Sequence, residues 1–294
     1  LWLLALIQLG GIGIVTLAAL AAAALGRRTS LEVEEAAAGP TSLMPEGGVG
    51  ALLRSVLRVT LGVEAVGAVL LWLSWRGALG NAGAVWPAVF HAISAFCNAG
   101  FSTSRDNLAG QTGSLPVLAV IALVIIAGGL GFLVFEDLQA RLRGRRRRVT
   151  LHTRVVLIAT AVLIEGATPL YLFFEWDHTL AGHGFVARFA HAAFMAVTPR
   201  TAGFNTVDYE QVSNPSLVLT LALMWIGGSP GSTAGGVKTT TAALLALLFL
   251  ARLRGRDSVS FANRSVPEAP VQRAVGLAVG GTRLLFTLPF ALLP

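Results

Sequence analysis

Two short runs, Asn98-Ala99-Gly100-Phe101 and Thr201-Ala202-Gly203-Phe204, share Ala-Gly-Phe at an offset of 103 residues. Each follows a short apolar stretch, about 86–97 and about 184–197. Neither stretch has the roughly 20 residues needed to cross a hydrocarbon core about 30 Å thick. A half-helix that enters a membrane and returns through a glycine-bearing loop has this signature. The chemistry on offer is cation coordination. A cation leaving water needs its hydration shell replaced, and backbone carbonyl oxygens replace it without adding a full charge. Glycine permits the dihedrals that such a loop demands. A single Ala-Gly-Phe reads as a tight turn between helices; its repetition favours a ring of loops around one axis.

A second motif interrupts a long apolar run: Gly227-Gly228-Ser229-Pro230-Gly231-Ser232-Thr233-Ala234-Gly235-Gly236-Val237-Lys238. Five glycines and one proline in residues 227–236 disfavour helix by roughly 1 kcal/mol per glycine and more for proline. Irregular backbone at membrane depth is tolerated beside a water-filled cavity or inside protein. A loop of small residues beneath a filter is a gate candidate. Lys238 would tether the loop or repel cations when it is closed. The same stretch imitates a phosphate-binding loop, but Val237 separates Gly236 from Lys238 and a membrane span precedes it, so nucleotide hydrolysis in this chain is rejected.

Other ionisable residues point elsewhere. His91 and His191 lie on the two short stretches and His178 and His183 in an outer loop, without the tight spacing of metal ligands; His91 and His191 are expected to be interhelical hydrogen-bond partners. Glu64 and Glu165 fall inside apolar spans at corresponding places, where an ionisable group is a functional candidate. Glu136 and Asp137 read as interface charges. Cys97 is the single cysteine and reads as a packing residue. A membrane-embedded enzyme using Glu64, Glu165 and the histidines is the weakest reading, and the chain is expected not to be an enzyme.

The elements that must hold these motifs are membrane spans. Of 294 residues, 54% are hydrophobic and 13% charged, far below the roughly 25% charge of soluble domains. Spans are expected at about 1–25, 52–75, 115–138, 153–175 and 215–251, the last broken at Gly227–Gly236, with a sixth from about 273. The net charge of +7 does not signal nucleic acid, because arginine clusters at the ends of apolar runs. Arg27, Arg28, Arg54, Arg58, Arg141, Arg143, Arg145–Arg148, Arg154, Arg252, Arg254, Arg256 and Arg264 would be cytoplasmic, whereas the glycine-bearing loops carry only Arg76, Arg105, Arg188 and Arg200. Those loops therefore open outward. A second echo, Gly10-Gly11-Ile12-Gly13 with Gly128-Gly129-Leu130-Gly131 and more loosely Gly227-Gly228, suggests a repeating unit of span, half-helix, glycine loop and span. The expected division is 1–28, second span of a first unit; 51–148, a second unit; 149–256, a third; and 265–294, first span of a fourth. Leu1 and Pro294 both sit in apolar runs, and both ends read as cuts in a longer protein.

At four places the sequence resembles the membrane subunit of bacterial Trk and Ktr potassium-uptake systems: Gln8-Leu9-Gly10-Gly11-Ile12-Gly13, Phe90-His91-Ala92-Ile93-Ser94-Ala95-Phe96-Cys97-Asn98-Ala99-Gly100-Phe101, Thr198-Pro199-Arg200-Thr201-Ala202-Gly203-Phe204-Asn205-Thr206, and Gly228 to Thr239. The resemblance implies an all-α, multi-pass protein of the bacterial plasma membrane, with four pseudo-repeats of helix, pore loop and helix around one potassium pathway. It implies that Gly100 and Gly203 are filter glycines and that Gly227–Gly236 is an intramembrane gate. It implies no cofactor, potassium as the transported ion with sodium as a candidate activating or coupling ion, a homodimer in the lipid bilayer, and a cytoplasmic ring of nucleotide-binding regulatory subunits. The alternative is a sodium-coupled or sodium-permeable transporter of the same fold. Filter loops one and four would lie before Leu1 and after Pro294. The Thr-Pro-Arg-Thr-Ala-Gly-Phe-Asn run leans toward the Ktr branch.

Overall fold

The computed structural model describes residues 1–24, 48–111, 114–144, 148–255, 260–261, 264–265, 272, 274–277 and 279–281. Arg27, Arg28, Arg145–Arg147, Arg256 and most of the expected segment 265–294 lie outside the described residues.

The fold is helical: α1 (Trp2–Ala24), α2 (Gly48–Gly83), α3 (Val85–Phe96), α4 (Leu115–Leu130), α5 (Phe132–Leu142), α6 (Leu151–Glu175), α7 (Phe185–Val197), α8 (Asn214–Trp225) and α9 (Thr239–Leu253). A 3₁₀ turn covers Ala109–Gln111, and two-residue strands at Ser260–Phe261 and Arg264–Ser265 pair antiparallel. Local chemistry sets several starts. Thr150 caps α6 by accepting from the Thr153 amide at 3.2 Å, satisfying one of the free donors of the first turn. Pro116 and Pro215 open α4 and α8 at positions where a missing amide hydrogen costs nothing.

Among the described residues, α2 from Leu53 and α6 are each long and apolar enough to cross a membrane. α2 exceeds the expected 52–75 and runs to Gly83 with a break at Gly80, where φ is +75°; Trp72 Nε1 donates to the Asn81 carbonyl at 2.9 Å across that break. The chain then enters α3 directly.

The third expected span is the main departure. Residues 115–138 are not one helix: α4 and α5 meet at a 95° bend on Gly131, whose φ of +81° is a left-handed conformation that an L side chain resists. The bend is held by backbone from elsewhere, since Phe132 N donates to Gly231 O at 3.2 Å.

The core is continuous across the two halves. Leu71, Trp75, Phe90, Phe96, Leu118 and Ile121 pack with Phe194, Ala202 and Phe204. A second cluster joins α6, α7 and α8 through Ala167, Tyr171, Met195 and Leu223, with Tyr171 Oη within 2.7 Å of Thr220 Oγ1. Asp137 is buried rather than an interface charge: its Oδ2 accepts from the Thr150 amide at 2.6 Å, a charge-assisted bond that ties the end of α5 to the start of α6.

Candidate functional site

The two Ala-Gly-Phe loops lie against each other. A Cβ placed on Gly100 would sit 2.6 Å from Ala202 O and 2.8 Å from both C and O of Gly203. Both loops use the same backbone device. Asn98 and Gly100 have φ of +52° and +71°; Thr201 and Gly203 have +72° and +78°. A left-handed residue thus precedes a left-handed glycine by two positions in each loop. Non-glycine residues rarely adopt this region, and such strain concentrates at functional sites.

Hydroxyls at the ends of the short helices brace the loops. Ser94 Oγ donates to Phe101 O at 2.8 Å and Thr198 Oγ1 to Phe204 O at 2.6 Å. The amides of Ala99 and Ala202 return to Ser94 O and Thr198 O at 2.9 and 3.0 Å. The two phenylalanines diverge: Phe204 is fully buried whereas Phe101 is 48% exposed.

Residues 226–238, between α8 and α9, are pinned from all sides. Gly227 N donates to Val237 O at 2.9 Å and Val237 N to Trp225 O at 3.1 Å, which closes the loop at its neck. Four contacts join it to the α4–α5 bend: Ser229 N to Gly129 O at 2.9 Å, Thr233 N to Gly128 O at 3.3 Å, Phe132 N to Gly231 O at 3.2 Å, and Ser229 Oγ to Leu130 O. Three more reach the end of α3 and the Ala-Gly-Phe loops. Thr233 Oγ1 donates to Phe96 O at 2.7 Å and accepts from Asn98 Nδ2 at 2.9 Å. Gly235 N donates to Thr201 Oγ1 at 3.2 Å. Lys238 Nζ donates to Ala234 O at 2.8 Å, so its charge holds the loop to itself.

Glycine here serves close approach. A Cβ on Gly227 would lie 1.7 Å from Gly235 O, and one on Gly228 would lie 2.5 Å from Ala234 Cβ. On Gly128 it would lie 2.0 Å from Phe96 O. Gly11 of α1 plays a similar part: its Cβ would meet Cys97 Sγ at 2.5 Å, and Cys97 itself is buried. Gly231 and Gly236 instead supply positive φ, +69° each.

The remaining candidates separate. Glu64 is buried and accepts from Gln8 Nε2 at 3.0 Å, with Oε1 lacking a partner among the described residues. Glu165 is exposed, so the two acids do not share an environment. His91 bonds Pro87 O within its own helix at 2.7 Å and Ser102 Oγ at 2.9 Å, not a second helix. His191 stacks on His183 with ring centroids 4.7 Å apart. No group of three metal-ligating side chains occurs among the described residues. Arg200, counted with the external loops, is instead buried, with Nη2 at 3.5 Å from Gly227 O, the outer limit of a hydrogen bond.

Two features escaped the sequence reading. Asn107, itself at φ +57°, donates from Nδ2 to Gly100 O at 3.0 Å and accepts at Oδ1 from Asn205 N at 3.2 Å. It joins the two loops, and nothing in its neighbourhood marks it. The Gly128–Phe132 bend had a visible cue, three glycines inside an apolar run, the same cue that marks residues 227–236.

Comparison with known proteins places this architecture. The family model described as TrkH, a cation transport protein, matches residues 1–292. The potassium/sodium uptake protein NtpJ of Enterococcus hirae is 37% identical over 276 residues, covering 94% of this chain and 61% of that protein. The Ktr system potassium uptake protein B of Bacillus subtilis is 34% identical, covering 99% and 65%. The crystal structure of the potassium transporter TrkH from Vibrio parahaemolyticus superposes with a TM-score of 0.75 at 19% identity, over 96% of this chain and 56% of that one. The chain thus spans about three-fifths of the length of the relatives it matches.

Proposed function

The chain belongs to the TrkH family of cation transport proteins, and on that footing we propose that it forms part of a potassium-translocating membrane subunit. The observation that carries the reading is the contact between Gly100 and Gly203, two loops from separate parts of the chain with matching left-handed residues. In this reading Asn98, Ala99, Gly100 and Phe101, with Thr201, Ala202, Gly203 and Phe204, furnish two of the loops that coordinate a dehydrated cation through backbone oxygen. No bond chemistry is involved.

Residues 227–236 with Lys238 are the gate. Their bonds to Phe96, Asn98 and Thr201 support a plug seated against the filter loops. Opening would exchange those bonds for others, so the gate is a two-state element. The helix, short helix, loop and helix order over 51–148 and again over 149–256 supports two repeat units, with 1–28 and 265–294 as parts of two more. The rest of the pathway belongs to the whole protein, which would act as a homodimer in the plasma membrane beneath which a nucleotide-binding ring sits. Arginine-rich ends such as Arg141, Arg143, Arg252 and Arg254 support a cytoplasmic face there. Because NtpJ is named for potassium and sodium uptake, a sodium-coupled or sodium-permeable variant of the same mechanism is the second reading.

The test is rubidium uptake by the full-length protein in proteoliposomes, with and without sodium, comparing wild type with Gly203→Ser. Loss of potassium preference is the expected result. Unchanged selectivity would remove Gly203 from the pathway and the filter assignment with it.

A further inference from the structure

α2 and α4 touch closely at Gly67, where an added Cβ would lie 2.9 Å from Val124 Cγ2. From that point α4 runs toward its 95° bend into α5. The wedge left among the three helices is a cavity of about 460 Å³. Its lining is graded. Val63, Val66, Leu70, Leu123 and Val124 make one end apolar, whereas Ser55, Arg58 and Gln139 make the other polar. Arg58 is exposed; its Nε donates to Arg54 O at 3.1 Å, which leaves the two terminal guanidinium nitrogens without a partner among the described residues. Arg54, one turn away, is also exposed.

A cavity that is apolar along its length and cationic at one end fits an amphiphile with an anionic head. A basic pocket between helices at the cytoplasmic face of a membrane recognises phospholipid headgroups, and guanidinium matches phosphate with paired donors. We propose that this wedge holds one anionic phospholipid, its phosphate on Arg58 and one acyl chain running past Gly62 and Val66. The proposal rests on the membrane orientation of the preceding reading, which puts Arg58 on the cytoplasmic side. Bound there, the lipid would brace α5 against α2, and α5 begins at Phe132, which is bonded to the gate residue Gly231.

The test uses the full-length protein in mild detergent, equilibrated with phosphatidylglycerol or phosphatidylcholine, with retained lipid counted by native mass spectrometry. Wild type is expected to retain phosphatidylglycerol in preference to phosphatidylcholine. Arg58→Gln should lower phosphatidylglycerol retention about fivefold, the effect of one basic residue near a membrane surface, and leave phosphatidylcholine unchanged. Gly62→Phe should abolish the retained lipid; a Cβ at Gly62 meets nothing within 4 Å among the described residues, so the ring fills the wedge without breaking the helix contact. Retention unchanged in Gly62→Phe, with helicity intact by circular dichroism, overturns the assignment, as does no loss in Arg58→Gln. Crosslinking from Gly62→Cys to a second copy, or to another segment of the same protein, overturns it too, because protein then fills the wedge. Rubidium uptake measured on the same samples keeps the two readings apart: lipid retained by a protein that moves no rubidium counts against transport alone.

Discussion

The glycines of the two Ala-Gly-Phe loops should differ in what they tolerate, and the structure says by how much. Gly100 and Gly203 have nearly equal positive φ, +71° and +78°. Replacing either with alanine forces an L side chain into the left-handed region, a cost of roughly 1–2 kcal/mol. Their surroundings are unequal. The new methyl at Gly100 would overlap Ala202 O at 2.6 Å and Gly203 C and O at 2.8 Å, all backbone atoms, whereas at Gly203 its nearest neighbour is Gly100 Cα at an ordinary 3.5 Å. Overpacking of this kind adds about 1–3 kcal/mol. Gly100→Ala should therefore lose roughly 2–5 kcal/mol and Gly203→Ala only the first 1–2 kcal/mol. The assay is thermal unfolding of the full-length protein in detergent, paired with rubidium uptake. Gly203→Ala should remain folded with altered selectivity, and Gly100→Ala should unfold at a clearly lower temperature. Equal destabilisation, or a larger loss at Gly203, would refute the packing of the two loops described above.

A parallel contrast exists in the α4–α5 bend. Gly128→Ala places a methyl 2.0 Å from Phe96 O, whereas at Gly129 nothing lies within 4 Å among the described residues; Gly128→Ala should abolish folded protein, and Gly129→Ala should express and unfold like wild type by size-exclusion chromatography and thermal scan. Thr233→Val removes the hydroxyl shared by Phe96 O and Asn98 Nδ2, which keep only their long 3.4 Å bond to each other, so two hydrogen bonds are lost at a cost of about 1–3 kcal/mol. Those bonds seat the proposed gate, so resting rubidium leak should rise in proteoliposomes; an unchanged leak would detach Thr233 from gating. Asp137→Ala breaks the 2.6 Å bond to the Thr150 amide and should cost about 1.5–3 kcal/mol as the loss of a bond to a charged group, read as a lower unfolding temperature.

The sequence by itself separated long apolar runs from short ones and located the irregular segment between α8 and α9. Apolar run length separates α2 and α6 from the shorter α3 and α7, because crossing a hydrocarbon core requires a minimum count of residues at fixed rise. Glycine and proline density marks residues 226–238 as non-helical, because those residues weaken helix wherever they fall. The paired Ala-Gly-Phe loops were legible by repetition. What only the tertiary structure decided is which segment meets which. Gly128–Phe132 carries the same glycine cue, yet its bend is specified by hydrogen bonds from residues 229–233, about 100 positions away. Glu64 and Glu165 occupy matching places in similar spans, and only packing buries one and exposes the other. Arg200 counts in sequence as one more loop charge, but the fold turns it inward toward Gly227. Asn107 acquires its role by lying between Gly100 and Asn205. Propensity is a property of neighbours along the chain. Burial and hydrogen-bond partnership are properties of neighbours in space, and no single run of residues carries them.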